Sequence, residues 1–220
     1  MSQTFQNYIA GKWVTAKSGK TFPNVNPADT RETVGLFQAS GAEDAEAACD
    51  AAVNAQPAWA AKPAPLRGEF LFKAAEILES RLGQVSEEMT REEGKTLPEA
   101  KGEVKRAINI LRYFGGEGAR QFSYQIPSER ESVFCYTLRK PLGMVALITP
   151  WNFPSAIPAW KMAPALVAGN TVVIKPASLA PLSAWRIVEA LDQAGLPAGV
   201  LNYVTGSGGT VGNALVEHPA

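Results

Sequence analysis

The last third of the chain alternates between short apolar runs and segments of helical periodicity, and this alternation restricts the possible folds most strongly. The apolar runs cover residues 144–149, 171–175 and 200–205, and the helical segments cover residues 160–168, 183–194 and 210–217. Apolar strands that alternate with helices are typical of a parallel sheet covered on both faces. Since the crossovers of such sheets are right-handed, residues 143–220 are predicted to form a β-α-β-α-β-α unit of a doubly wound α/β fold.

The first 142 residues are predicted to form short strands followed by a helical layer. Strand patterns cover residues 8–14, where the turn Ala10-Gly11 separates two strands, and residues 34–39, with a polar turn-rich segment at 24–29. Helical periodicity follows over residues 66–80, 85–93 and 97–117, and a strand-like pattern over residues 132–138. Ser40, with Glu43 three residues later, matches a capping box at the start of an additional first helix, and Gly94 is a stop signal. The apolar stripe of the last helix, which includes Ile108, Leu111, Tyr113 and Phe114, is predicted to face the core.

Composition argues against several classes of protein. The chain has 21 basic and 21 acidic residues and no basic block, so no nucleic-acid partner is expected. No apolar run is long enough to span a bilayer and no signal-peptide pattern opens the chain, so we expect a cytoplasmic protein without membrane contact. Cys49 and Cys135 lie far apart in no metal-ligand spacing, which favours a reducing compartment and no metal site. Neither cysteine has a neighbouring histidine, so neither is predicted to be a nucleophile.

Three loops are expected to meet at one rim of the sheet. Ligands of parallel α/β sheets bind beyond the carboxyl ends of the strands, which places residues 149–153, 175–178 and 206–209 together. The glycine-rich loop that starts at Gly206 precedes a helix, and backbone N–H groups at such a point favour anions. Val211, however, stands where a dinucleotide fingerprint has its third glycine, so a plain turn and a nucleotide loop remain equally open.

Two polar residues of these loops are candidate functional groups. Lys175 ends a strand, where a cation can contact a ribose or a phosphate, although a solvated lysine is the simpler interpretation. Asn152 lies between Trp151 and Phe153 and is flanked by two prolines. A rigid amide donor in an apolar setting suits an oxyanion site, and an asparagine that hydrogen-bonds its own turn is equally compatible.

Several motifs resemble the aldehyde dehydrogenase superfamily in their order and spacing. They are Pro-Trp-Asn-Phe-Pro at 150–154 and the segments 8–13, 92–100, 159–166, 169–177 and 194–202. Within the family the chain is most similar to the bacterial α-ketoglutaric semialdehyde (2,5-dioxovalerate) branch. The resemblance implies that residues 143–220 form the first half of a Rossmann-like NAD(P)-binding domain and that residues 1–142 add strands and a helical layer to it. It also implies that the chain is truncated, without the nucleophilic cysteine, the general-base glutamate and the oligomerisation segment.

The resemblance also implies roles for individual residues. Asn152 would donate to the oxyanion, and Lys161 would take part in proton handling. The residues implied in coenzyme binding are Thr149, Pro150, Trp151, Asn152, Lys175, Ala177, Ser178, Gly208, Gly209 and Gly212, with Lys175 on the adenosine ribose. Phe153 and Trp160 would line the aldehyde tunnel. Arg112, Glu117 and Arg120 either form a solvated helix face, the favoured interpretation, or lie near the tunnel mouth, where an arginine would hold a substrate carboxylate.

The resemblance implies an enzyme that oxidises an aldehyde, such as a semialdehyde, to a carboxylic acid with NAD or NADP, as a homodimer or homotetramer. Ser178 stands where NAD-specific relatives carry a glutamate that would repel a 2′-phosphate, so NADP is expected to be accepted. The 220 residues alone are expected to be inactive and poorly soluble, since a sheet cut in half leaves an apolar edge. The alternative is a non-catalytic nucleotide-binding or assembly module. A hydrolase is disfavoured because no G-x-S-x-G elbow occurs.

Overall fold

A computed structural model of the chain describes residues 3–120 and 123–220. In chain order, its strands are β1 (Asn7–Ile9), β2 (Lys12–Val14), β3 (Thr21–Val25), β4 (Thr33–Gln38), β5 (Gln125–Ile126), β6 (Cys135–Tyr136), β7 (Met144–Ile148), β8 (Thr171–Lys175) and β9 (Leu201–Tyr203). Its α-helices are α1 (Ala42–Ala61), α2 (Ala64–Ser80), α3 (Leu82–Glu93), α4 (Leu97–Glu117), α5 (Ala156–Val167), α6 (Leu182–Gln193) and α7 (Asn213–Glu217). None of the helices in the described ranges is long and apolar enough to cross a membrane.

The main sheet has the strand order β2-β1-β9-β8-β7. Strands β7, β8 and β9 pair in parallel and are connected through α5 and α6, so the predicted α/β unit is confirmed. Side chains alternate between the faces of a strand. Accordingly, Val172 and Ile174 pack in the larger core with α5 and α6, while Val173 packs against α1 and α7 in a second cluster. Both faces of the sheet are therefore covered by helices.

The N-terminal hairpin extends this sheet beyond β9. Ala10 (φ 52°) and Gly11 (φ 76°) both adopt left-handed backbone, as a two-residue hairpin turn requires, which confirms the predicted turn. Strand β1 pairs antiparallel with β9 at Tyr8 and Tyr203. The side-chain oxygen of Asn7 also accepts the N–H of Thr205 at 3.1 Å. Because β1 covers β9, the edge strands of the sheet are β2 at one side and β7 at the other. The residues of β7 are half-buried or exposed.

A layer of helices packs behind the sheet at short distances. Helices α2 and α4 are in close contact at Gly68 and Gly115, where a methyl group on Gly68 would lie 2.2 Å from the carbonyl oxygen of Gly115. Helix α4 in turn packs against α5. The close contact of α2 with α4 therefore requires glycine at position 68. It also sets the position of α4 relative to the loop before α5.

The predicted start of the first helix is wrong by one residue. The N-cap is Gly41, and the Asp44 carboxylate accepts its N–H at 3.0 Å. Ser40 does not cap the helix because its hydroxyl accepts a hydrogen bond from the Asn7 side chain at 2.8 Å. A contact across 33 residues therefore overrides the local capping pattern.

Other boundaries also differ from the predicted ones. Residues 24–25, predicted in a turn, belong to β3, which pairs with β4. The strand-like pattern at 132–138 yields only the two residues of β6. Helix α5 begins four residues earlier than predicted, and a π-helical turn, Gly208–Gly212, precedes α7. In the apolar stripe of α4, Ile108 and Leu111 are buried as predicted, but Tyr113 is 60% exposed.

Candidate functional site

The three predicted loops do meet at the carboxyl ends of β7, β8 and β9. The N–H of Thr149 donates to the carbonyl of Lys175 at 3.2 Å. The Lys175 ammonium donates to the carbonyl oxygens of Pro176 (2.7 Å) and Gly206 (3.3 Å). The Ser178 hydroxyl also donates to Gly206, at 3.0 Å. These contacts form one continuous rim over the parallel strands.

Two polar groups of this rim lack a full set of partners. Lys175 is 4% exposed, and burial lowers the pKa of its ammonium group. No carboxylate forms an ion pair with it within the described ranges, where its recorded acceptors are the two carbonyls. The Thr149 hydroxyl is buried and has no hydrogen-bond partner among the described residues. Buried polar groups of this kind are normally satisfied, so the rim has hydrogen-bonding capacity available to a ligand.

The glycine-rich loop opens toward solvent where the rim ends. Gly206 must be glycine because its φ is 150° and a side-chain carbon would lie 2.6 Å from Val211. At Gly208 and Gly209, by contrast, no atom lies within 4 Å of the place a side chain would occupy. Gly212 lies against the Lys175 side chain, with a distance of 3.9 Å from its missing Cβ to Lys175 Cε. The space over Gly208 and Gly209 therefore lets a ligand approach the backbone.

The loop of residues 150–154 is held in place by a buried carboxylate from α4. One oxygen of Glu103 accepts the N–H groups of Ser155 (2.9 Å) and Ala156 (3.1 Å), and so caps α5. Its other oxygen accepts from Lys95 at 2.5 Å. The Lys95 ammonium also donates to the backbone carbonyl of Asn152 at 3.3 Å. The backbone of Asn152 is thereby fixed, while its side chain is exposed.

The remaining predicted residues lie around this loop. Phe153 and Trp160 face each other with ring centroids 6.4 Å apart, and Lys161 is exposed on α5 beside Trp160. Pro150 is exposed, and Trp151 borders a groove of about 150 Å³ that Glu92, Glu93 and Leu179 also line. Ala177 forms a turn with Ala180, whose N–H donates to it at 3.2 Å. Pro150 and Trp151 therefore precede Asn152 in this loop, and Phe153 and Trp160 follow it.

A larger groove runs along the exposed face of α4 beside α5. Its volume is about 610 Å³, and its lining residues are Gly102, Lys105, Arg106, Asn109, Ile110, Tyr113, Phe114 and Trp160. The guanidinium carbon of Arg106 lies 5.9 Å from the Trp160 ring centroid. Two arginines considered from sequence are engaged elsewhere, since Arg112 pairs with Glu79 and Arg120 with Glu117.

The two cysteines lie away from this rim. Cys49 is buried in the cluster between the sheet, α1 and α7, and burial raises the pKa of its thiol to about 11. Cys135 is in the small β5–β6 sheet. Within residues 3–120 and 123–220, no group of three or more His, Cys, Asp or Glu side chains is arranged to hold a metal ion.

The parallel sheet with helices on both faces and a ligand-accessible rim defines a Rossmann-like α/β protein. A sequence profile of the aldehyde dehydrogenase family matches residues 13–220, and the chain belongs to this family. The α-ketoglutaric semialdehyde dehydrogenase of Bacillus subtilis (strain 168) is 52% identical over 215 residues, which are 98% of this chain and 44% of that protein. The chain thus spans less than half the length of this curated relative.

Solved structures give the same fold with both coenzymes represented. The crystal structure of an E. coli NADP-dependent enzyme superposes with a TM-score of 0.95 at 40% identity, covering 99% of this chain and 45% of that one. The structure of PnpE in complex with nicotinamide adenine dinucleotide gives a TM-score of 0.93 at 41% identity, with 99% and 44% covered. The predicted family and fold class are therefore confirmed.

Sequence reasoning missed the residues that support the loop from a distance. The sequence did contain an indication for Glu103, because this carboxylate lies on the buried and otherwise apolar stripe of α4, with Ala100, Val104 and Ala107. Lys95 belongs to a motif that carried the family resemblance, yet nothing in the sequence indicated its contact with Asn152. Arg106 had no signal beyond its position on an exposed helix face.

Proposed function

We propose that this chain supplies the coenzyme-binding rim and the oxyanion donor of an NAD(P)-dependent dehydrogenase that oxidises a semialdehyde to a carboxylic acid. The observation that carries the proposal is that two features adjoin. One is a rim in which the buried polar groups of Thr149 and Lys175 lack a full set of hydrogen-bond partners, and the other is a loop that exposes Asn152 while Lys95 and Glu103 hold its backbone. In this proposal residues 143–220 form the first half of the NAD(P)-binding domain, and residues 1–142 contribute its hairpin and helical layer.

The residues of the rim fit a nicotinamide dinucleotide. The Lys175 ammonium has a third N–H available for a ribose hydroxyl, and the Thr149 hydroxyl lacks a partner among the described residues. The open space over Gly208 and Gly209 admits the adenosine part close to the backbone. Pro150, Trp151, Ala177 and Gly212 would line the same cleft. When bound, the coenzyme would supply the hydride acceptor, and the protein's part is to bind and orient it.

Asn152 would stabilise the negative charge that develops on the aldehyde oxygen when a nucleophile adds to the carbonyl. Its side-chain N–H₂ is the donor, and the Lys95–Glu103 clamp on its backbone pre-organises it before the reaction. Cys49 is excluded as that nucleophile because its thiol is fully buried and its pKa is raised to about 11. Cys135 lies in the small β5–β6 sheet, away from the rim. We therefore propose that neither cysteine of these 220 residues is the nucleophile, and that Lys161 assists proton transfer at the site.

The substrate is proposed to be a small semialdehyde. The name of the Bacillus subtilis relative specifies α-ketoglutaric semialdehyde, and that protein is 52% identical to this chain. Phe153 and Trp160 form an aromatic wall next to Asn152 that would pack against the carbon chain of such a substrate.

The test is aldehyde oxidation by the full-length protein, followed through the formation of NADH or NADPH. Asn152→Ala is expected to lower kcat roughly 10²- to 10³-fold, the usual loss when one oxyanion donor is removed. Asn54→Ala, which removes an exposed amide on α1, is the matched control and should leave kcat unchanged. Coenzyme binding by a full-length wild type that oxidises no aldehyde would favour a non-catalytic nucleotide-binding module instead.

The coenzyme is proposed to include NADP, because position 178 carries no negative charge that would repel a 2′-phosphate. Ser178→Glu is expected to lower the ratio of kcat/KM for NADP to that for NAD by at least about 10-fold. The Ser178 hydroxyl already donates to Gly206, so Ser178→Ala should change this ratio little. An unchanged ratio in the glutamate variant would contradict the proposal.

A further inference from the structure

The ammonium group of Lys95 lies close to the ring of Phe153, the residue after Asn152. The distance from Lys95 Nζ to the ring centroid is 4.9 Å, which is within the range of a cation–π contact. The Lys95 side chain is 13% exposed, so little water competes with the ring for its charge. Because a cation–π contact is stronger for a desolvated cation than for an exposed one, this contact should restrain the ring.

The surrounding packing gives the Phe153 ring less restraint. Phe153 is 43% exposed and borders a groove of about 560 Å³, which leaves room for the ring to turn. Its aromatic neighbour is Trp160, with ring centroids 6.4 Å apart and ring planes inclined by 38°. Trp160 is also exposed in part, so Lys95 is the more deeply buried of these two neighbours of the ring.

The ammonium group is itself held in place by contacts with three other residues. The Glu103 carboxylate accepts from Lys95 Nζ at 2.5 Å, and a Glu93 carboxylate oxygen lies 3.5 Å from it. Glu103 also caps α5, so its carboxylate is fixed from a second side. The third contact is the backbone carbonyl of Asn152, at 3.3 Å. Since these contacts come from different parts of the chain, Lys95 is a fixed point against which the ring can be held.

We propose that Lys95 is a positioning residue for the aromatic wall of the site. It holds the Phe153 ring beside Trp160 and thereby determines how well the carbon chain of an aldehyde is bound. This inference rests on the proposed dehydrogenase function and goes beyond the support that Lys95 gives to the backbone of Asn152. The two roles are separable, because the oxyanion donor acts on every aldehyde alike, whereas the ring acts on an aldehyde whose chain reaches it.

The test compares butanal with acetaldehyde in the full-length protein. Acetaldehyde offers one methyl group to the wall and butanal a propyl chain, so the ratio of kcat/KM for butanal to that for acetaldehyde reports on the wall. Lys95→Met is expected to lower this ratio by about 3- to 10-fold, chiefly through KM. Lys101→Met, which removes an exposed lysine of α4, is the control and should leave the ratio unchanged. An unchanged ratio in Lys95→Met would overturn the inference.

A double-mutant cycle shows whether Lys95 acts through the ring. Phe153→Leu removes the aromatic face and keeps an apolar side chain, and it should lower the ratio by itself. Lys95→Met added to Phe153→Leu should then lower the ratio no further, whereas two independent effects would multiply and refute the inference. Lys95→Gln keeps an N–H donor for Glu103 without the positive charge, so it replaces Lys95→Met in the cycle if that variant fails to fold.

Fluorine NMR of 4-fluorophenylalanine at position 153 separates this inference from the proposed function. In Lys95→Gln the resonance should move from its wild-type position toward that of the unfolded chain. If it does so and the wild type oxidises neither aldehyde, the role of Lys95 stands and the dehydrogenase proposal fails. If the wild type oxidises both aldehydes, and Lys95→Gln changes neither the resonance nor the ratio, the dehydrogenase proposal stands and the role of Lys95 is refuted.

Discussion

The buried carboxylate of Glu92 should make the stability of the folded chain fall as the pH rises. Glu92 is 2% exposed at the end of α3, and it accepts the N–H groups of Leu182 and Ser183 at the start of α6. Burial outweighs these hydrogen bonds and raises its pKa from 4.5 to about 7. Between pH 4.5 and about 7 the folded chain keeps a proton on Glu92 that the unfolded chain releases. The stability that this proton contributes is therefore complete below pH 4.5 and is lost as the pH rises through about 7.

The size of this effect follows from the shift in pKa. A difference of about 2.5 pH units corresponds to about 3 kcal/mol in the free energy of unfolding. The assay is urea unfolding from pH 4 to pH 8, followed by the fluorescence of tryptophans such as Trp185 on α6. Glu92→Gln stays neutral, so the stability of the wild type relative to this variant should fall by about 3 kcal/mol across that range.

A second carboxylate provides a control of opposite sign. The exposed Glu99 accepts hydrogen bonds from the N–H and the hydroxyl of Thr96, and the hydroxyl contact is the main cause of its lowered pKa. The stability that Glu99 contributes is therefore present at neutral pH and is lost as the pH falls. The stability of the wild type relative to Glu99→Gln should accordingly rise with pH, the reverse of the trend for Glu92→Gln. Parallel stability curves for the wild type and Glu92→Gln would refute the reasoning about burial.

Two further predictions concern packing and thiol reactivity. Gly68→Ala should destabilise the chain by at least about 2 kcal/mol in urea unfolding, since its methyl group would overlap the Gly115 carbonyl, whereas Gly102→Ala, at an exposed site of α4 with open space, should stabilise by about 0.5–1 kcal/mol. Equal effects of the two substitutions would contradict the close helix crossing. Cys135 should react with a thiol reagent in the native chain and Cys49 only after unfolding, because Cys49 is fully buried with its pKa raised to about 11. Two fast-reacting thiols would argue against this burial.

The sequence predicted those parts of the fold in which local pattern and tertiary structure agree. The run 171–175 was placed with its correct bounds, because a strand buried on both faces is apolar throughout. The meeting of the three loops was also predictable, since the carboxyl ends of parallel strands share one edge. These features depend on periodicity and topology, which a single sequence contains.

The support of the site depends on contacts between residues far apart in the chain. The Glu103 carboxylate lies 52 residues before the N–H of Ser155 that it caps, and no local pattern states that α4 crosses at that point. For the same reason the start of α5 was predicted too late. The hydrogen bond from Ser178 to Gly206 likewise spans 28 residues, so the sequence indicated the absence of a charge at 178 but not how its hydroxyl is used.

The pairing of β1 with β9 has a consequence for how the chain reaches this structure. The Asn7 side chain and the Thr205 N–H that it accepts are separated by 198 residues. Closing so long a loop costs conformational entropy before any contact compensates for it, and such non-local pairing slows folding. On the ribosome, β1 can pair with β2 at once, but its second neighbour in the sheet, β9, exists only after almost all of the 220 residues have been made. Until then the hairpin is an unpaired edge that a chaperone or another nascent chain can bind.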